Sequence, residues 1–216
     1  MESSNIMKKL FTVIIALALM VSISATAKAV DSKNPYAMIE TVAKVTFKRF
    51  SDEQPEIRKN PEILKDIVRE ELMPYINYRY AALKVIGFKN FEQTTSQSRA
   101  DFVDVFREYL VTSYAQVFTL YKQQEVEFEP ERDFDDAKVV AVRTSVLDPG
   151  RPPIDISFRV RRNTTTNEWK AYDMVAEGVS LLDSKEAELS GLIRQKGLPY
   201  VTEMLKEKSD QKIVFK

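Results

Sequence analysis

From residue 34 to about 121 the apolar positions recur at intervals of three and four. Met38, Ile39, Val42, Val45, Thr46 and Phe50 share one face, which predicts an amphipathic helix over about 34–50 with Pro35 in its first turn, where a missing N–H leaves no bond unmade. Positions 51–59 read as a connection. Asn60-Pro61 opens a second helix through Ile63, Leu64, Ile67, Val68 and Leu72. Pro74 interrupts it, because proline lacks the donor and its ring crowds the preceding turn. The helical pattern resumes over 75–86 and stops at Gly87. After the polar run 93–98, the longest helix is predicted over roughly 96–121. Its stripe of Phe102, Phe106, Leu110, Tyr114 and Phe118 is spaced by four throughout and flanked by Val103, Val117 and Tyr121.

Beyond Gln124 the period falls to two. Val126 and Phe128 alternate in a short piece, and Val140, Val142, Thr144 and Val146 in the next. Ile154, Ile156, Phe158 and Val160 then alternate against Asp155, Ser157, Arg159 and Arg161. The stiff turn at 148–153 and the polar one at 162–168 separate these from a further strand over 169–177. Short connections imply an antiparallel meander. After Gly178, Asp183 and Glu186 resemble a capping box for a helix ending at Lys196, with Gly197 as its stop. Leu198-Pro199 opens a last helix to about Lys208, and Ile213 and Phe215 suggest a final edge strand. The order predicts an α+β fold: a curved antiparallel sheet with several helices packed on one face.

The first residues modify this picture. Lys8 and Lys9, the apolar run 10–23 and Ala27-Lys28-Ala29 read as a cleavable secretory signal over 1–29, with an uncleaved anchor as the alternative. The apolar run is too short for a bilayer core of roughly 30 Å. A single domain over 30–216 is expected, large enough for a sizeable core. Removing Lys8, Lys9, Lys28 and Glu2 leaves 29 of the 32 basic and 31 of the 32 acidic residues. Such a balance gives no general attraction to nucleic acid or anionic membrane.

The chain has neither cysteine nor histidine. That removes disulfides, thiol nucleophiles, imidazole bases and the usual zinc, copper and haem ligands together. Its five glycines are too scattered for a dinucleotide fingerprint or a phosphate loop, and no nucleophile elbow is present. Asp135-Asp136 reads as a solvated turn rather than an acid–base pair or a calcium site. Tyr172-Asp173 on a strand leaves one enzymatic possibility, an isomerase with an aspartate base and a tyrosine donor. Simple alternation instead packs Tyr172 inward and points Asp173 to solvent or to an arginine. The apolar stripes line a core in any fold of helices on a sheet, and periodicity does not say whether that interior is filled or hollow.

Five segments together carry a resemblance. They are Asn34-Pro35-Tyr36; Gln54-Pro55-Glu56-Ile57-Arg58-x-Asn60-Pro61; Phe106-Arg107-Glu108-Tyr109-Leu110; Gly150-Arg151-Pro152-Pro153; and Ala171-Tyr172-Asp173-Met174-Val175-Ala176-Glu177-Gly178-Val179-Ser180. In this order the chain resembles the MlaC family of periplasmic phospholipid carriers, also described as toluene-tolerance proteins, over essentially 30–216. The resemblance implies a cone like that of nuclear transport factor 2, enclosing an apolar cavity, with phospholipid as cargo and no other cofactor or metal. It implies no enzymatic activity, but shuttling that maintains outer-membrane lipid asymmetry. The implied partners are an outer-membrane lipoprotein–porin complex and an inner-membrane ABC transporter complex with a lipid-binding ring protein.

On that reading the tails are expected to meet Phe106, Leu110, Val142, Ile156, Phe158, Met174 and Val179, with Tyr75, Tyr80, Leu83 and Ile86 closing the mouth. Val179 is expected to turn a small apolar side chain into the cavity where the chain leaves the sheet at Gly178. Arg151, Arg159 and Arg161 suit contacts with partners or a head-group phosphate, or else form a solvated face. A carrier, an isomerase and a cargo-free adaptor stay open as function classes, separated by whether the purified chain holds lipid.

Overall fold

The computed structural model describes residues 30–122 and 124–215; the expected signal, 1–29, lies outside them. Helix α1 (Pro35–Asp52) begins where the Asn34 side chain accepts the Tyr36 and Ala37 N–H groups at 2.9 and 3.0 Å. The 51–59 connection contains a short helix, α2 (Gln54–Lys59), because Pro55 suits a first turn and buried Ile57 anchors it to the core. The next helix is not continuous to Pro74. It runs as α3 (Ile63–Ile67), widens into a π turn (Val68–Leu72) and tightens into a 3-10 turn (Met73–Tyr75), as expected where a proline ring crowds the carbonyl four residues back.

The helix expected from residue 75 instead begins at Tyr78. Ile76 is extended and forms a parallel bridge to Ala171, and Asn77 caps α4 (Tyr78–Ile86) by accepting from the Tyr80 N–H at 3.2 Å. After the single turn α5 (Phe88–Phe91) comes the long helix α6 (Ser96–Phe118), three residues shorter at its end than its stripe suggests.

The sheet is antiparallel throughout, in the order β1 (Glu125–Phe128), β2 (Val139–Leu147), β3 (Ile154–Arg162), β4 (Trp169–Ala176) and β5 (Val179–Ser180). Alternation marked the first three, and the bounding turns marked the fourth. The chain does not leave the sheet at Gly178: Glu177 and Gly178, with φ of +50° and +78°, make the two-residue turn that right-twisted hairpins favour, and Val179 pairs with Ala176. Helices α7 (Leu181–Lys196) and α8 (Leu198–Ser209) follow. The cap of α7 is Ser180, whose Oγ accepts the Asp183 N–H at 2.9 Å, so Asp183 sits in the first turn rather than at the cap.

Over its described residues the tail forms no strand. Glu62 accepts the Ile213 N–H at 2.6 Å, and Lys65 and Gln116 donate to the Gln211 and Val214 carbonyls at 2.8 Å each. Side chains thus supply the partners a neighbouring strand would have given, and Ile213 is buried.

Three apolar clusters fill the interior. α1 packs Met38, Ile39 and Val42 on the sheet against Val142, Val160 and Trp169. A second cluster gathers Phe50, Ile57, Leu64, Ile67, Val111 and Ile213. The third joins α4, α6, α7 and α8 through Ile86, Phe102, Phe106, Leu189 and Leu205.

Candidate functional site

Between β4 and helices α4, α6 and α7 lies a cleft of about 280 Å³. Each wall follows from local sequence. Phe106, Leu110 and Tyr114 come from the four-spaced stripe of α6, and Tyr109 and Ser113 flank them. From α7 come Leu181, Ser184, Lys185 and Glu188, the three- and four-residue spacing of one helix face, together with buried Leu182. Ile76 and Ala81 close the side toward α4.

The sheet wall is Tyr172, Asp173 and Met174, three consecutive residues. A regular strand could not present all three. Arg159 pairs with Asp173 and Val160 with Ala171, which leaves Tyr172 unopposed in a bulge. Tyr172 turns inward and Asp173 meets an arginine, as alternation allows, but that extra residue also brings Asp173 to the cleft instead of turning it to solvent.

Asp173 has a fully buried side chain. It accepts the Ser180 hydroxyl at 2.8 Å and the Leu182 N–H at 3.0 Å, and its Oδ2 lies 3.1 Å from the Arg159 guanidinium, which also reaches Asp183 at 3.4 Å. The carboxylate therefore fastens the first turn of α7 to the strand beneath it, where the helix dipole favours a negative charge. With both oxygens engaged in these bonds, it is built as a fastener rather than as a base waiting for a substrate proton. Tyr172 is raised above the usual phenol range, by burial first and then by neighbouring Tyr80. Tyr114 is pushed up to about 12 by burial, with the Asp173 charge adding to it. At the rim, burial works against the charge of Lys185, but its bonds to Glu188 and Tyr109 outweigh that and hold it above the ordinary lysine range. The cleft is thus an apolar and aromatic hollow whose polar groups are mostly committed to one another. Among the described residues no cluster of three or more His, Cys, Asp or Glu side chains could hold a metal ion.

Of the residues expected to line a cavity, Phe106, Leu110 and Met174 meet here. Val142 is buried in the core between α1 and the sheet, where Tyr75 and Phe158 also pack. Phe158 is paired with Met174, and Ile156 with Thr144 and Ala176, so both share the sheet face of Met174 and are half-buried. Val179 does not turn inward: it is 57% exposed, because the hairpin turn carries it to the corner of the sheet. Ile86 is fully buried in the helical core and stands at no mouth, since its face of α4 is turned to α6 and α7; Leu83 packs on that core. Tyr80 meets Tyr172 edge-on with ring centroids 5.1 Å apart, at the border of the cleft. The α7 wall escaped sequence reasoning because Ser184, Lys185 and Glu188 are polar and nothing in their residue types points to an apolar hollow. Their spacing with Leu181 was the available signal.

The match to a family model described as MlaC protein spans residues 40–207. The chain belongs to the MlaC family. It is 30% identical over 210 residues to the intermembrane phospholipid transport system binding protein MlaC of Haemophilus influenzae, covering 97% of each chain. It also shares its fold with a phospholipid-binding protein from Ralstonia solanacearum solved in complex with a phospholipid. That likeness has a TM-score of 0.71 at 21% identity and covers 82% of this chain and 97% of the other. The MlaC fold is thus an α+β arrangement of helices on a curved antiparallel sheet. The bulge at Tyr172 and the turn at Glu177-Gly178 set the local shape of its cleft in this chain.

Proposed function

We propose that the protein is a periplasmic phospholipid carrier and not an enzyme, exported by a signal over residues 1–29 and acting as one domain over 30–216. It moves lipid between the outer and inner membranes and so sustains outer-membrane lipid asymmetry. The observation that carries this reading is the apolar cleft beside the bulged β4, in a chain of the MlaC family. Two acyl chains hold about 30 methylenes, and leaving them in water would cost roughly 24 kcal/mol at about 0.8 kcal/mol each. A carrier must therefore enclose them, and transfer from bilayer to cleft replaces one apolar environment by another, so no chemical step is required.

The tails first meet Phe106, Leu110 and Met174. A volume of about 280 Å³ lies just below the usual range of ligand sites, roughly 300 to 1,000 Å³. Two chains therefore extend along the half-buried sheet face of Phe158 and Ile156, with Val179 at its corner. The partners are an outer-membrane lipoprotein–porin complex and an inner-membrane ABC transporter complex with its lipid-binding ring protein.

Mass spectrometry of an organic extract from the mature protein, purified without detergent, tests the reading. About one diacyl phospholipid per chain is the expected result. A chain that stays lipid-free after incubation with phospholipid vesicles overturns it.

A further inference from the structure

A second hollow, of about 440 Å³, lies where the β3–β4 turn faces the start of α4, and its chemistry is the opposite of the cleft's. Arg79, Arg161, Arg162 and Lys170 line it, against the one carboxylate of Glu168. Across the whole sequence the formal charges cancel, so this is a local excess of cations. Arg162 is engaged, donating to the Asp135 carbonyl at 2.7 Å. Among the described residues, by contrast, Arg79, Arg161 and Lys170 have no carboxylate within 4.0 Å, although ion pairs are frequent elsewhere on the molecule. Three uncompensated cations facing one hollow repel one another and favour an anion between them.

The placement narrows the anion. Ile76 lines both the basic hollow and the apolar cleft. The Arg161 guanidinium lies over the Tyr80 ring at 4.1 Å, and Tyr80 meets Tyr172, a wall of the cleft, at 5.1 Å. Stacking fixes the plane of the guanidinium while leaving its N–H edge available, the arrangement that suits paired bonds to phosphate oxygens. The two hollows thus share Ile76 as a common wall and are linked through the Tyr80–Tyr172 pair.

We propose that the basic hollow is a phosphate-anion site, with Arg79, Arg161 and Lys170 as its ligands, and that its occupant is the phosphate of a lipid whose tails fill the cleft. The second clause rests on the carrier reading above; the first does not.

The test uses the mature chain and its Arg79→Gln/Arg161→Gln/Lys170→Gln variant, with circular dichroism to confirm that both are folded. Each is incubated with vesicles of equal parts phosphatidylglycerol and digalactosyl diacylglycerol, a bilayer lipid without phosphate, and the captured lipids are counted by mass spectrometry. Separately, inorganic phosphate is titrated at low salt while the arginine Nε–H signals are followed by nuclear magnetic resonance.

The expected result is a preference for phosphatidylglycerol that falls about tenfold in the variant, equivalent to about 1.4 kcal/mol, with total lipid per chain unchanged. The Arg79 and Arg161 signals also move with phosphate in the parent chain. Movement of those signals without any lipid preference sustains the anion site and overturns the head-group assignment in favour of free phosphate. An undiminished preference in the variant, with unmoved signals, overturns both. If neither lipid is captured, the carrier reading fails, and the phosphate titration alone decides the site.

Discussion

Removal of the Asp173 carboxylate tests whether the cleft's sheet wall and its α7 wall are one mechanical unit. In Asp173→Ala the Leu182 N–H loses its acceptor inside the protein, the Ser180 hydroxyl loses its own at 2.8 Å, and Arg159 keeps only Asp183 at 3.4 Å. An orphaned buried donor costs about 1 to 3 kcal/mol and a lost hydrogen bond to a charged acceptor about 1.5 to 3 kcal/mol. Arg159 is 39% exposed, so solvent screening holds its share of the ion pair to at most about 1 kcal/mol. A total near 4 kcal/mol lowers the melting temperature by about 8 to 16 °C for a domain of this size. The exposed neighbour provides the control: Asp183→Ala should cost under about 1 kcal/mol, through the helix dipole and a screened contact. Thermal melts followed by circular dichroism at pH 7 measure both. If Asp173→Ala melts within about 2 °C of the parent, or no lower than Asp183→Ala, the carboxylate is not the fastener described above.

Further predictions concern the tail and the core. Burial raises the Glu62 carboxyl, but the Ile213 N–H and Lys65 outweigh it and hold the group below its ordinary range. Its stabilising contribution is therefore complete above the ordinary carboxylate range, about pH 4.5, and is lost as pH falls through the lowered folded value. Amide exchange at Ile213 should accelerate as pH falls below 4.5, before the sheet amides do, and simultaneous exchange of the two would contradict this. Phe106→Ala, at a ring 2% exposed and stacked on Phe102 at 5.7 Å, should lose about 3 to 5 kcal/mol of stability in urea titrations. A loss below about 1.5 kcal/mol would mean that the cleft collapses to fill the space. The Tyr114 hydroxyl, pushed up to about 12, should titrate well after the exposed tyrosines in a carbon-13 ring experiment. Titration together with them near pH 10 would show that water reaches it.

Much of this architecture is written in period and punctuation. Alternation from Val140 to Val146 and from Ile154 to Val160 matches two strands closely, because a half-buried sheet enforces one apolar face. The stripe from Phe102 to Phe118 marks α6 for the same reason. What period does not encode is how faces meet. Nothing in Ala171-Tyr172-Asp173-Met174 announces a bulge, since it arises from the register of β3 against β4, yet it alone puts three consecutive residues on the cleft. Val142 and Met174 read alike as inward strand residues, but α1 seals one and leaves the other beside a hollow. The tail misled for a related reason: Ile213 and Phe215 alternate as a strand would, while the partners of that backbone, Glu62, Lys65 and Gln116, lie about 100 to 150 positions away.

The way the sheet ends affects behaviour at high concentration. An unpaired strand edge is a template on which a second chain can add its own backbone and start an aggregate. Here each outer strand is stopped by a short piece of the same chain. On one side β5 occupies the end of β4, while Ile76 bridges Ala171 and the Asn77 N–H donates to the Ala171 carbonyl at 2.7 Å. On the other, β1 ends at Phe128 and Glu129 continues its work: its N–H donates to the Arg143 carbonyl at 3.0 Å, and its carboxylate accepts the Arg143 N–H at 2.9 Å. One glutamate thus imitates a further residue of strand and ends the ladder there. The folded chain offers an incoming strand only short lengths of free edge, and the hydrogen bonding of its own margins leaves little template for edge-to-edge pairing.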